Sequence, residues 1–286
     1  MTLTTATAAA EPVRFGMLAY GPSGRMHREA VVALLTVGAH APAGSEVIVL
    51  TDRPEEYVWI GDAVTIDRLT PKILTEWQGP TGDRFRPKIE TLRRLAADKA
   101  KHVVLVDTDT MARRDLTPMV ARLAAGALFL HRREYALAAP PRKGDRSLPE
   151  EILGRAWQDI TPGPDAAMWN GGIIGSSRRH HGVFDRTLAV FDEMRLASRH
   201  FAVEQLTYSI VFPAYGPLEE AAPWFDHYWA NRDWFDRAID DFLGETQQTG
   251  VKADAARERL RHNPIVGPLD GRVPWWLKQL RRLIGK

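Results

Sequence analysis

Apolar runs and polar breaks alternate along this chain with a strand–helix rhythm. Val13 to Tyr20 reads as a first strand, followed by the turn Gly21-Pro22-Ser23-Gly24 and an apolar-striped helix from Met26 to Val37. Glu46 to Thr51 reads as a second strand, closed by Asp52 and the Pro54 turn, and Ala63 to Ile66 as a short third. Lys88 to Lys99 reads as a helix with Pro87 at its start. The run Val103 to Val106 is wholly aliphatic and mostly β-branched, the mark of a buried strand. Further on, Ala121 to Gly126 ends a short helix and Ala127 to His131 is another apolar strand. Met168 to Gly175 is a strand interrupted by glycines, which signals either close approach of a ligand or a bulge. Phe184 to Ser198 and Val203 to Phe212 read as helices. The stretch from Pro140 to Pro164 is rich in Pro, Gly and charge, and reads as a loop or a small helical insertion around Ile152 to Trp157. This order predicts an α/β fold with a mainly parallel sheet covered by helices on both faces.

The strand at Val103 continues into Asp107-Thr108-Asp109. On an extended backbone, residues i and i+2 point to the same side. The two carboxylates would then aim at one point at the carboxyl edge of the sheet, where open α/β sheets hold their ligands. Their repulsion would be relieved by a hard divalent cation such as Mg²⁺ or Mn²⁺. A plain structural use is open as well, since Asp favours turns and helix caps.

Composition narrows the field. The chain has 286 residues, 44% of them hydrophobic, which is ample for one large α/β domain. Its 38 basic and 36 acidic residues leave a net charge of +2, which does not suggest a nucleic-acid binder. There is no cysteine, so disulfides and thiolate chemistry are excluded, and any metal must sit on Asp, Glu, His or backbone oxygens. No run is long and apolar enough to span a membrane. Residues 1–12 lack the pattern of a signal peptide and read as a disordered tail, which points to the cytoplasm.

Several segments, taken in order, resemble a known family. They are Phe85-Arg86-Pro87-Lys88-Ile89-Glu90-Thr91-Leu92, Asp107-Thr108-Asp109, Arg114-Asp115-Leu116, Trp169 to Gly175, Glu204-Gln205, and His227 within Phe225 to Trp229. Together they resemble nucleotide-sugar-dependent glycosyltransferases of the GT-A fold, and most closely the family 8 branch of retaining enzymes. The resemblance implies a GT-A-like (Rossmann-like) domain over residues 13–240, with a helical extension over 241–286. It implies a nucleotide diphosphate sugar donor, most often a uridine one, and Mn²⁺ or Mg²⁺ held by Asp107, Asp109 and His227. Lys88 and Thr108 would contact the donor, and Asn170, Gly171 and Gly172 would wall the sugar pocket. Glu204 and Gln205 would stand at the reaction centre, with Glu204 a general base or a group near the donor sugar. The residues after His227 depart from the family pattern, and Arg232 is the candidate basic partner of the diphosphate there. Tyr20 could stack on the base, and Asp52 either touches base or ribose or caps a turn. His227 itself, set among aromatic residues, could equally be a packing histidine on spacing alone.

Three other readings compete. An aspartyl-nucleophile phosphatase also carries Asp-x-Asp after an apolar strand, but wants Thr or Val where this chain has Met111. A nucleotidyltransferase would show a longer glycine-rich loop than Gly21 to Arg25. A domain that binds nucleotide sugars without turnover would share the whole pattern. The acceptor is unspecified, with a glycan, a lipid-linked molecule and a small molecule all open. At the end of the chain, residues 274–286 combine paired tryptophans, leucines at helical spacing and basic residues. Such a helix could lie on a membrane surface or pack on its own domain.

Overall fold

The computed structural model describes residues 12–269. The disordered-tail reading of residues 1–11 and the membrane-surface reading of 274–286 lie outside the described residues.

The chain runs β1 (Val13–Ala19), α1 (Gly24–His40), β2 (Glu46–Thr51), β3 (Thr65–Arg68), α2 (Pro71–Gln78), α3 (Arg86–Leu95) and β4 (His102–Val106). It continues β5 (Thr110–Ala112), α4 (Thr117–Ala124), β6 (Leu128–Ala136), α5 (Leu148–Ile152), β7 (Ala167–Ser176), α6 (Gly182–Ala197) and α7 (Val203–Val211). It closes with β8 (Leu218–Glu220), β9 (Phe225–His227), α8 (Arg232–Gln248) and α9 (Ala253–His262). Seven strands form one sheet in the order β3-β2-β1-β4-β7-β6-β8. The pairings β2–β3, β1–β2, β1–β4 and β6–β8 are parallel, whereas β7 runs antiparallel to β4 and β6. The mainly parallel mixed sheet flanked by helices is therefore present as expected.

Why the central strands read as unbroken apolar runs is plain from their surroundings. Val104 and Val106 of β4 enter the core beneath α1, α8 and α9, while Val103 and Leu105 enter the opposite core beneath α3, α6 and α7. A strand covered on both faces has no polar side to show. Helix α3 lies so close to β1 that a Cβ at Gly16 would fall 2.1 Å from Leu95. At the other end of the chain, Ile239, Phe242 and Leu243 of α8 and Ala253, Ala256 and Leu260 of α9 join the core of α1. Residue 240 lies inside α8.

Three local expectations are corrected. The third strand sits at Thr65–Arg68, two residues later than its apolar run, because Leu69 N–H is bonded to Thr51 O and the pairing with β2 sets the register. The helix in the Pro140–Pro164 stretch is Leu148–Ile152, started by Pro149 at its first turn, and precedes the expected position. The third concerns the two aspartates. Strand β4 ends at Val106, and Asp107 to Asp109 form a turn before β5. Their carboxylates converge because the chain turns, not because an extended strand repeats every two residues.

Candidate active site

Three backbone pairings assemble the site at the carboxyl edge of the sheet. The β4–β7 pairing aligns Val106 with Ile173, and Asp107 N–H donates to Gly172 O at 2.9 Å. The glycine pair is thereby set against the first aspartate. The β5–β9 ladder aligns Thr110 with His227, and Tyr228 N–H donates to Asp109 O at 3.1 Å. A histidine 118 residues beyond Asp109 is thus delivered by sheet pairing to the residue that follows it. The β6–β7 pairing sets Arg132 opposite Asn170 and brings Glu134 to Asn170 Nδ2 at 3.2 Å.

Asp107, Asp109 and His227 each offer a ligand atom within 4.8 Å of the others. His227 Nε2 lies 3.2 Å from Asp109 Oδ1. Its Nδ1 lies 2.9 Å from Asn170 Oδ1, which also accepts from Gly172 N–H. The Asn170 oxygen is identified by the Gly172 amide, so Nδ1 carries a hydrogen and Nε2 is the ring atom turned toward Asp109. Gly172 has no alternative here, because a Cβ would stand 2.3 Å from His227 Nδ1. His131 packs edge-on behind the ring at a 5.2 Å centroid separation, its own pKa depressed to about 3 by burial and by neighbouring His227. It backs the His227 ring without adding charge.

Lys88 Nζ lies 2.8 Å from Asp107 Oδ1 and 2.8 Å from Gly171 O, and 3.5 Å from Glu204 Oε1. Burial works against its charge, but Asp107, Glu204 and Asp109 outweigh burial and hold it as an ammonium. The two aspartates are pushed apart in acidity. Burial raises Asp107 against the pull of Lys88. Asp109 is also buried, yet His227 and Arg232 bring it down to about 2. Glu204 is raised to about 7, chiefly by burial, opposed by Lys88 and reinforced by Asp107. Its Oε1 is buried without a hydrogen-bond partner.

These groups line one cavity of about 420 Å³ together with Tyr20, Asn170, Gly171, Gly172 and Gln205. It opens where β1 and β4 diverge, the point at which the strand order reverses. Asp52, Thr108 and Arg232 lie outside the lining. Both oxygens of Asp52 accept from Gly21 N–H at 3.1 Å, so it caps the turn after β1. Arg232 donates from Nε to buried Glu29 at 2.9 Å and lies 3.8 Å behind Asp109 Oδ2. Tyr20 donates its hydroxyl to Arg84 O at 2.8 Å. Gln205 Nε2 donates to Glu134 at 3.3 Å. Sequence reading missed Glu134, Arg142 and Asp145 of the lining, and Glu29 behind it. A carboxylate inside the charged run Arg132 to Tyr135 was the available signal for Glu134.

No protein-family model and no curated protein sequence matches the chain. Solved structures do. The chain is similar to mouse xyloside xylosyltransferase 1 in its apo form, at 11% identity and a TM-score of 0.49, over 73% of this chain and 84% of that one. It is also similar to the apo bifunctional glycosyltransferase WbbM, at 13% identity and a TM-score of 0.48, over 73% of this chain and 39% of that one. These structural neighbours are glycosyltransferases, but a likeness at this level carries no argument about chemistry, which rests on the site itself.

Proposed function

We propose that this chain transfers a sugar from a nucleoside diphosphate sugar to an acceptor hydroxyl, with Mn²⁺ or Mg²⁺ held by Asp107, Asp109 and His227. One observation carries the reading. With Nδ1–H given to Asn170, His227 turns Nε2 to within 3.2 Å of Asp109 Oδ1, and ligand atoms of Asp107, Asp109 and His227 lie within 4.8 Å of one another. A donor set of two carboxylates and one imidazole converging on one point suits a hard to borderline divalent ion. When bound, the ion would supply Lewis-acid stabilisation of the negative charge that develops on a departing diphosphate.

The chain's own residues support the rest. Lys88 presents a fixed positive charge to the same cavity, where low local polarity strengthens its attraction for an anionic leaving group. Asn170 orients His227, and Gly172 leaves room for its ring. Glu204 exchanges a proton close to neutral pH, which suits a group that takes a hydroxyl proton or holds a polarised sugar hydroxyl. Tyr20, beyond the end of β1, offers an aromatic face to a nucleobase, and a uridine one agrees with the family resemblance.

Calorimetric titration of UDP, GDP and ADP with and without Mn²⁺, on wild type and Asp109→Ala, tests this. Metal-dependent binding of one nucleotide that disappears in the variant is expected. Binding of none of them in the presence of Mn²⁺ would refute the proposal, and turnover of p-nitrophenyl phosphate would then favour the phosphatase reading.

A further inference from the structure

The outer part of the cavity differs chemically from its floor. Among the described residues, Phe201 and Trp229 are the aromatic members of the exposed large hydrophobic side chains, at 63% and 39% exposure. Both line this cavity. Phe201 stands three residues before Glu204 and Trp229 two after His227, so each ring adjoins the reacting end of the site. An aromatic side chain can bury roughly 150–250 Å² when covered, and left in water it forgoes that gain. Two such rings from separate segments at one cavity mouth are suited to a ligand that covers them.

Charge sorts by depth. Of the acidic residues of the lining, Asp109, Asp145 and Glu204 are buried, the Glu134 side chain keeps 7% exposure, and the Asp107 side chain, paired with Lys88, keeps 31%. The exposed charged residues of the lining, Arg84 and Arg142, are both basic. The Arg142 guanidinium lies 5.8 Å from the Trp229 ring centroid and 3.6 Å from Glu134. That separation is too long for a good hydrogen bond, so its planar set of donors can turn to a better acceptor. Arg146 and Arg199 add exposed charge nearby, on two stretches tied together where His200 Nε2 meets Gly144 O and Asp145 Oδ1 at 3.2 Å.

We infer, building on the glycosyltransferase reading, that this rim is the acceptor subsite and that the acceptor is an anionic saccharide. The apolar C–H face of its ring covers Trp229 and Phe201. Its carboxylate or phosphate meets Arg142, with Arg146 and Arg199 adding attraction. Glu134 and Gln205, next to Arg142 in the lining, are in reach of ring hydroxyls. Sheet order separates this region from the nucleotide end, since Glu134 belongs to β6 and Tyr20 follows β1, with β4 and β7 between them.

The test uses two probes of equal size, cellobiouronic acid and cellobiose. Each is titrated into the full-length protein by ligand-observed NMR, with and without UDP and Mn²⁺. The acidic probe is expected to bind about fivefold more tightly than the neutral one, the scale of an exposed charge pair. The double variant Arg142→Gln/Arg146→Gln should abolish that preference, and Trp229→Ala should weaken both probes, with near-ultraviolet dichroism confirming that each variant folds. Equal binding of the two probes by wild type overturns the inference, as does a preference that survives the double variant. Capture on phosphatidylglycerol vesicles without any preference between the disaccharides also overturns it and points to a lipid headgroup. The two proposals fail separately: acidic preference without UDP binding supports an anionic-saccharide site while refuting the donor assignment.

Discussion

Glu204→Gln should make the protein more stable at neutral pH. The carboxyl is buried beside Lys88, with Oε1 lacking a hydrogen bond, and its pKa stands at about 7 against an ordinary 4.5. The folded state therefore holds a proton that the unfolded chain has released across this window. Stability falls as pH rises from about 4.5 to about 7, because the native state binds more protons than the unfolded one. A shift of 2.5 units corresponds to about 3 kcal/mol once the group is fully ionised. Glutamine has the shape of the protonated acid and cannot ionise, so the variant should escape this loss. Urea denaturation of metal-free protein at pH 5, 6, 7 and 8 measures it, and the difference between the two curves isolates residue 204, since other groups titrate in both. Relative to wild type, the variant should gain about 2–3 kcal/mol between pH 5 and pH 8. Parallel curves across the whole range would refute the reasoning and with it the view that this carboxylate is held at a cost for use.

Gly172→Ala would drive a Cβ to 2.3 Å from His227 Nδ1, so the ring must move; Mn²⁺ affinity, read by electron paramagnetic resonance, should fall by at least about tenfold while the fold survives. Asn170→Ala removes the acceptor that fixes the His227 tautomer, and a loss of roughly 10–100-fold in Mn²⁺ affinity is expected; unchanged affinity would show that the tautomer is set elsewhere. His181, remote from the site, has a pKa lowered to about 4 by burial and by nearby His102. Its neutral form is favoured in the fold, so its contribution is present above about pH 6.5 and is lost as pH falls toward 4. Thermal unfolding of His181→Gln should lose less stability than wild type over that interval, and equal losses would count against the assignment.

Much of the fold was legible from local pattern. Strand Glu46–Thr51 appears at its read boundaries because an apolar run between polar turns has one stable fate in a covered sheet. The helices α6 and α7 differ from their readings by a residue or two at their ends. Asp107 and Asp109 were legible as a pair, since two carboxylates after an apolar run are a local feature. Why they converge was not, because a turn and an extended strand can share the same short sequence. The partners of that pair lie far away in the chain. His227 reaches Asp109 through the β5–β9 ladder, Asn170 chooses the tautomer, and Gly172 supplies the space. Arg232 and Asp52 have the right chemistry for a donor, but Glu29 and Gly21 N–H already engage them. Glu134 was hidden because its run reads as a polar strand end until β7 lies beside it. Sequence by itself determined the elements and the kinds of side chain available, since backbone preference and hydrophobic period act over a few residues. Tertiary structure alone decided which of those side chains face one another across a common cavity and at what acidity. Pairing register, burial and the field of neighbouring charges are properties of the folded chain, and none of them is carried by spacing along it.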